Sequence, residues 1–124
     1  MSHIKCVLIV DDEPSIREIL RRSLAKARYD IHEAAGPLEA SRAFLNHKID
    51  AVVLDLRMPD LSGFQFLDWL RNEPNERAQT VPVFILTGQP LSPDEQTTLE
   101  RRHAKVFFKP QGLDEIVKAL SRRR

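Results

Sequence analysis

The chain has 124 residues, of which 42% are hydrophobic and 30% are charged, and its net charge at neutral pH is +1. This length suits one domain with one core, and the near balance of acidic and basic residues argues against direct nucleic-acid binding. No apolar run approaches the roughly 20 residues that a membrane-spanning helix needs. The N-terminus lacks the pattern of a signal peptide, so we expect a cytoplasmic protein without a membrane partner.

Short apolar runs alternate along the chain with intervals of helical length. The runs are rich in β-branched residues and predict strands at residues 6–10, 29–34, 51–54, 83–86 and 106–108. The intervals repeat apolar residues at helical spacing and predict helices over residues 14–27, 38–46, 63–71, 92–102 and 113–120. Pro14 suits a first helical turn, and Ser92 with Glu95 forms a capping-box pattern. The alternation predicts an α/β fold, (βα)5, with a doubly wound five-stranded parallel sheet.

Polar residues directly follow four of the predicted strands. They are Asp11 and Asp12 after the first, Asp55 after the third, Thr87 after the fourth and Lys109 after the fifth. Because open α/β sheets bind ligands outside the carboxyl ends of their strands, we expect these side chains to converge. Each of them alone is more often a turn residue or a solvated side chain, but their joint placement favours a functional site.

Three crowded carboxylates raise one another's pKa values unless a cation neutralises them. Magnesium is the natural candidate because it prefers oxygen ligands and commonly completes its shell with phosphate oxygens. Zinc fits poorly, because the histidines show no close ligand spacing with one another or with Cys6 and are expected to be solvated. The four histidines are His3, His32, His47 and His103.

The same residues predict phosphoryl-transfer chemistry. Lys109 can pair with an incoming phosphoryl group, Thr87 can donate a hydrogen bond to it, and Mg²⁺ can hold a further oxygen. Asp55 is the predicted nucleophile, since a carboxylate can form an aspartyl-phosphate.

The chain resembles the receiver domain of two-component response regulators over essentially its whole length, residues 1–124. The resemblance lies in the ordered segments VLIVDDEPSIREIL, VVLDLRMPDLSGFQFL, VFILTG and FFKP. It implies a flavodoxin-like sheet with strand order 2-1-3-4-5 and a phosphorylation-dependent signalling switch. Such a domain is a phosphoacceptor that assists its own phosphotransfer and dephosphorylation, and is not a conventional enzyme.

The resemblance also implies roles for individual residues. Asp55 is the phosphoacceptor and a metal ligand, Asp12 binds Mg²⁺ directly, and Asp11 assists through water. Arg57 lends its backbone carbonyl to the metal. Arg57 and Gln89 each stand two residues after a site residue, where they are placed to orient or screen the water that hydrolyses the phosphorylated state.

Two positions depart from the family pattern. The family usually places an aromatic residue three before the lysine, where it swings inward on activation, but Val106 stands there in this chain. Gln111 follows the Lys109–Pro110 bond, which is implied to be cis, at a position where the family often has an apolar residue. We therefore expect the signal to be read through repacking of the fourth predicted helix and not through a swinging ring.

The implied phosphodonor is a histidine kinase or a histidine phosphotransfer protein, and a homodimer through the fourth and fifth predicted helices is a further expectation. The output domain or target stays open, as does whether the domain stands alone. The alternative is a receiver-like interaction module that is not phosphorylated. A phosphohydrolase is disfavoured because Arg57 stands where such enzymes need a second acid, and a nucleotide-binding protein because no glycine-rich phosphate loop follows the first strand.

Overall fold

The structure is a computed structural model that describes residues 4–56 and 63–122. Within these residues the strands are β1 (Cys6–Val10), β2 (Asp30–Ala34), β3 (Ala51–Leu54), β4 (Val83–Thr87) and β5 (Ala104–Phe108). The helices are α1 (Pro14–Lys26), α2 (Pro37–Asn46), α3 (Gly63–Asn72), α4 (Glu76–Thr80), α5 (Pro93–Arg101) and α6 (Gly112–Ser121). None of these described helices combines the length and the apolar character needed to cross a bilayer.

All five strands are parallel and lie in the order β2-β1-β3-β4-β5, which confirms the predicted fold class and the implied strand order. Every residue of β3 and β4 is buried, as is all of β1 except its first residue. Burial on both faces explains why these sequences lack alternating polarity. The edge strands β2 and β5 keep exposed residues.

Helices cover both faces of the sheet. On one face the core is formed with side chains of α1 and α6, among them Leu20, Leu24, Ile116 and Leu120. On the other face it is formed with side chains of α2, α3, α4 and α5, among them Phe44, Phe66, Ala78 and Leu99. A one-residue slip would move every side chain of a strand to the opposite face and disrupt its packing in both cores, so the strand ends are held in register.

One described helix, α4, was not predicted. The Asn75 side chain accepts a hydrogen bond from the Arg77 N–H at 2.8 Å at its start, and Ala78 is buried in the core. Five residues are too few to repeat an apolar spacing, so hydrophobic periodicity cannot reveal a helix of this length. The capping box of Ser92 and Glu95 at the start of α5 is confirmed, with both hydrogen bonds present.

A half-buried arginine joins three of these helices. Arg71 Nε donates to the carbonyl oxygen of Arg102, just past α5, at 2.9 Å, and Nη1 donates to the carbonyl oxygens of Ala78 and Val81 at 3.1 and 3.0 Å. Burial lowers the pKa of Arg71, as expected for a cation removed from water. The Asp68 carboxylate also pairs with the Arg102 guanidinium at 2.8 Å. Helix α3 thereby holds the C-terminal ends of α4 and α5.

Replacing Arg71 with alanine should leave these carbonyl oxygens without their donor and lower the free energy of unfolding by about 2–3 kcal/mol. Arg22→Ala is the matched control, because Arg22 is exposed and pairs with Glu18 on the surface of α1, an interaction worth about 0.5 kcal/mol or less. Urea unfolding followed by circular dichroism measures both variants. Equal losses in the two variants would show that water replaces the Arg71 contacts without penalty.

Candidate functional site

The carboxyl ends of the strands bring the predicted site residues to one edge of the sheet. Asp11 follows β1, Asp55 follows β3, Thr87 ends β4 and Lys109 follows β5. Sheet hydrogen bonding continues into these residues: the Asp55 N–H donates to the Val10 carbonyl at 2.9 Å, and the Lys109 N–H donates to the Thr87 carbonyl at 2.8 Å. The backbone of the site is therefore an extension of the sheet.

Three carboxylates lie together at this edge. Asp11, Asp12 and Asp55 each place a carboxylate oxygen within 4.8 Å of the other two. Asp11 and Asp55 are only 2% and 4% exposed, and Asp12 is half-buried. Within residues 4–56 and 63–122, no other three metal-ligating side chains lie this close together. Clustered carboxylate oxygens suit a hard cation such as Mg²⁺.

Burial and neighbouring charges change the acid strength of Asp11. Burial is the largest cause that raises the pKa of Asp11 to about 6, and the charges of Asp55 and Glu13 raise it further. The Glu13 N–H, which donates to Asp11 Oδ1 at 2.9 Å, and the charge of Lys109 act in the opposite direction. The ionised form of Asp11 is therefore disfavoured in the absence of a cation.

Lys109 connects the end of β5 to the acidic cluster. Its Nζ lies 3.8 Å from Asp11 Oδ2 and 3.6 Å from Glu13 Oε1. Glu13 was not predicted as a site residue, although its position directly after the aspartate pair and before α1 was a usable signal. The Lys109–Pro110 bond is cis, which confirms what the resemblance implied.

The buried Thr87 hydroxyl contacts the loop that follows its strand. Thr87 Oγ1 accepts a hydrogen bond from the Gln89 N–H at 3.3 Å and donates to the Gln89 carbonyl oxygen at 3.5 Å. Gln89 itself is exposed. Such a turn ties a threonine hydroxyl to the backbone two residues on, here in the segment that leads to α5.

Val106 is half-buried on β5 and lines a groove of about 420 Å³ beneath α5, together with Leu99 and Phe108 among others. The neighbouring rings do not substitute for an aromatic residue at this position. Phe107 packs in the opposite core against Phe84, with ring centroids 6.0 Å apart, and Phe108 is 48% exposed. The groove beside Val106 is therefore not filled by either ring.

After Leu56 the structure describes the chain again only from Gly63 onward. Arg57 lies outside the described residues, so its implied role as a carbonyl ligand stays a prediction. The Gly63 N–H donates to the Leu56 carbonyl at 3.0 Å, and a Cβ on Gly63 would collide with the backbone carbonyl oxygen of Asp55. Glycine is thus required for α3 to begin so close to the acidic cluster.

His47 is exposed, as expected for a solvated histidine, whereas His32 is half-buried, and the two rings are in contact. The rings of His32 in β2 and His47 after α2 stack, with centroids 3.8 Å apart and 20° between their planes. Burial, followed by the charge of His47, lowers the pKa of His32. Stacked rings direct their nitrogen lone pairs side by side and not toward a common point, so this pair is not a ready zinc site.

The chain matches the family model described as the response regulator receiver domain over residues 7–121. It is 36% identical over 114 residues to the transcriptional regulatory protein KdpE of Mycobacterium tuberculosis, covering 92% of this chain and 48% of that protein. It is 33% identical to the response regulator MprA of a Mycobacterium species, covering 94% of this chain and 50% of that protein. The chain thus spans about half the length of these curated relatives.

Solved structures agree with the family match. The chemotaxis protein CheY4 of Vibrio cholerae aligns with a TM-score of 0.85 at 28% identity, over 98% of this chain and 99% of that one. The N-terminal domain of a response regulator receiver protein from Methanoculleus marisnigri aligns with a TM-score of 0.76 at 26% identity, over 94% of each chain. With its sequence, fold and acidic edge all in agreement, the chain belongs to the receiver domains of two-component response regulators.

Proposed function

We propose that this chain is a phosphorylation-dependent switch that accepts a phosphoryl group on Asp55 from the phosphohistidine of a histidine kinase or a histidine phosphotransfer protein. The observation that carries the proposal is the cluster of Asp11, Asp12 and Asp55 carboxylates with Lys109 Nζ beside it. Phosphoryl transfer depends mainly on positioning and on stabilising negative charge. Lys109, together with a cation held by the carboxylates, would stabilise that charge, and the sheet edge positions the groups.

The position of Asp55 favours it as the acceptor. It follows β3, which lies between β1 and β4, so the aspartate pair flanks it on one side and Thr87 on the other. In the transfer a carboxylate oxygen of Asp55 forms a bond to phosphorus while the bond from phosphorus to the imidazole nitrogen breaks. The imidazole keeps the electron pair, and the carboxylate becomes an aspartyl-phosphate.

Asp11, Asp12 and Asp55 are the residues that would hold Mg²⁺, with Asp12 as a direct ligand, Asp11 acting through water and the Arg57 carbonyl as a further ligand. Bound there, Mg²⁺ would neutralise the cluster and hold a phosphoryl oxygen. The fit is supported by the burial of two of the carboxylates and by the raised pKa of Asp11, which a bound cation would lower again.

Lys109 and Thr87 would each exchange a present partner for a phosphoryl oxygen. Glu13, which now lies near Lys109 Nζ, is 55% exposed and can turn into solvent. The Thr87 hydroxyl would leave the Gln89 backbone and donate to the phosphoryl group. Because Gln89 lies on the loop that leads to α5, this exchange is the proposed link from the site to that helix.

The surface that responds is proposed to be that of α5 and α6, the fourth and fifth helices of the sequence prediction. With Val106 beside an unfilled groove, repacking of α5 would replace the swing of an aromatic ring. A homodimer through these helices is the proposed output, since their exposed residues carry both signs of charge and can pair with a second copy. These charged residues include Asp94, Glu100, Arg101, Glu115 and Lys118.

Sedimentation of the phosphorylated and the unphosphorylated protein tests the proposed homodimer.

Incubation with acetyl phosphate and Mg²⁺ should add one phosphoryl group, detected by intact mass, and the addition should require Mg²⁺. Asp55→Asn should abolish it, because an amide is too weak a nucleophile. Asp68→Asn, on α3, is the control and should be phosphorylated like the parent protein.

The rate at which the phosphoryl adduct decays, compared between the parent and Gln89→Ala, tests the proposed influence of Gln89 on the water that hydrolyses the adduct.

A parent protein that gains no phosphoryl group from acetyl phosphate or from a competent phosphohistidine donor would contradict the proposal. An adduct that persists in Asp55→Asn would place the acceptor elsewhere. The first result would favour the alternative of a phosphorylation-independent interaction module.

Mg²⁺ affinity should fall as the pH drops through about 6, because Mg²⁺ binding competes with protonation of Asp11. In the metal-free protein the folded state binds the Asp11 proton more tightly than the unfolded state. The contribution of Asp11 to stability is therefore present below its ordinary pKa of 3.8 and is lost as the pH rises through about 6.

Asp11→Asn should consequently raise the free energy of unfolding of the metal-free protein at neutral pH by about 1–2 kcal/mol, while weakening Mg²⁺ binding. Thermal unfolding with and without Mg²⁺ measures both effects. Glu115→Gln, an exposed acid on α6, is the control and should change stability by less than about 0.5 kcal/mol. A metal-free Asp11→Asn protein less stable than the parent would contradict the destabilising effect assigned to the buried, crowded carboxylate of Asp11.

A phosphoryl mimic such as beryllofluoride should change amide hydrogen exchange in α5 and in the loop from Gly88 to Ser92, since the Thr87 hydroxyl leaves Gln89 when it turns to the ligand. Thr87→Val removes the hydroxyl at nearly constant volume and should suppress the change. Hydrogen exchange in α2, which packs against β1 and β2 away from the β5 edge of the sheet, serves as the internal control. Unaltered exchange in α5 with the mimic bound would argue against this route.

A further inference from the structure

Arg17, near the start of α1, reaches back to the turn that carries the aspartate pair. Its Nη1 donates to the backbone carbonyl oxygen of Asp11 at 2.6 Å, and its Nε donates to Glu33 Oε1 on β2 at 3.3 Å. The Arg17 side chain is 19% exposed. One guanidinium thus links the edge strand, the helix and the turn through two different nitrogen atoms, a use that suits the planar fork of arginine.

The carbonyl held by Arg17 belongs to the peptide unit that joins Asp11 to Asp12. Because this peptide unit is planar, fixing its carbonyl oxygen also fixes the direction of the Asp12 N–H and the position of the Asp12 Cα, from which the side chain extends. The rest of the turn has its own bonds: the Asp11 N–H donates to the Ala34 carbonyl at 3.1 Å, and the Glu13 N–H donates to Asp11 Oδ1 at 2.9 Å.

We propose that Arg17 is a positioning residue for the magnesium site, which it serves by holding the Asp11–Asp12 peptide, and that Glu33 in turn holds Arg17. The inference rests on the proposed function in taking the acidic cluster as the Mg²⁺ site. Groups that support a metal ligand without touching the metal commonly change metal affinity by roughly 10–100-fold when they are removed.

Charge and positioning predict opposite results for Arg17. As a cation bound to the Asp11 backbone carbonyl, beside the acidic cluster, it would repel Mg²⁺, so losing only its charge would strengthen metal binding. Losing the hydrogen bond from Arg17 to the Asp11 carbonyl would weaken metal binding, because the Asp11–Asp12 peptide would no longer be held in place. Arg17→Lys separates the two effects, because lysine keeps the charge but has a single ammonium group in place of the fork that reaches both Asp11 and Glu33.

The experiment is calorimetric titration of Mg²⁺ into the unphosphorylated protein without a phosphodonor. Arg17→Ala and Arg17→Lys should each raise the Mg²⁺ dissociation constant about tenfold. Arg21→Ala is the matched control and should change it by less than about twofold. Arg21 Nε also pairs with Glu33, at 3.7 Å, but the Arg21 side chain is 50% exposed, and its ion pairs within the described residues are with Glu33 and Glu18.

Circular dichroism and urea unfolding establish that each variant is folded. If Arg17→Ala does not fold, the Mg²⁺ affinity of Arg17→Lys alone tests the inference. A lysine variant that binds Mg²⁺ as tightly as the parent, or an alanine variant that binds it more tightly, would overturn the inference while leaving the proposed function intact. A parent protein that binds no Mg²⁺ would overturn both the inference and the magnesium site of the proposed function.

Discussion

Burial and crowding of three carboxylates at the ends of two neighbouring buried strands are the constraint on which the organisation of this edge depends. Asp11 and Asp55 cannot move apart, because their backbones continue the hydrogen bonding of the sheet. Burial first, and then the charges of Asp55 and Glu13, raise the pKa of Asp11 to about 6. Lys109 and the Glu13 N–H offset part of the negative charge, and a divalent cation would offset the rest.

Much of the fold and the convergence of the site follow from sequence because both depend on simple periodicities. Unbroken apolar runs mark strands buried on both faces, and parallel strands must bring Asp11, Asp55, Thr87 and Lys109 to one edge. Strand order is different: any order of five such strands satisfies the same periodicity, so 2-1-3-4-5 was implied only by the family resemblance. Helix α4 was missed because it is shorter than the repeat that would reveal it.

Other contacts at and near the site depend on packing that no local pattern encodes. His32 and His47 meet because α2 ends beside β2, and Arg17 meets the Asp11 carbonyl because of the angle at which α1 leaves the turn. Arg71 gathers carbonyls from α4 and from the end of α5 in the same way. Helix α5 is consequently anchored by Arg71 at its C-terminal end, whereas its N-terminal end adjoins the loop that Thr87 contacts.

The continuity between the sheet and the site also determines how the site is lost when the domain unfolds. The backbone amides of Asp11, Asp55 and Lys109 are bonded to neighbouring segments of the sheet edge, so we expect these three residues to lose their positions together with the sheet and not before it. Damage to distant packing would then reduce the number of competent molecules without altering the chemistry of those that remain folded. Loss of this arrangement of carboxylates and lysine on heating would accordingly be as abrupt as the cooperative unfolding of the sheet itself.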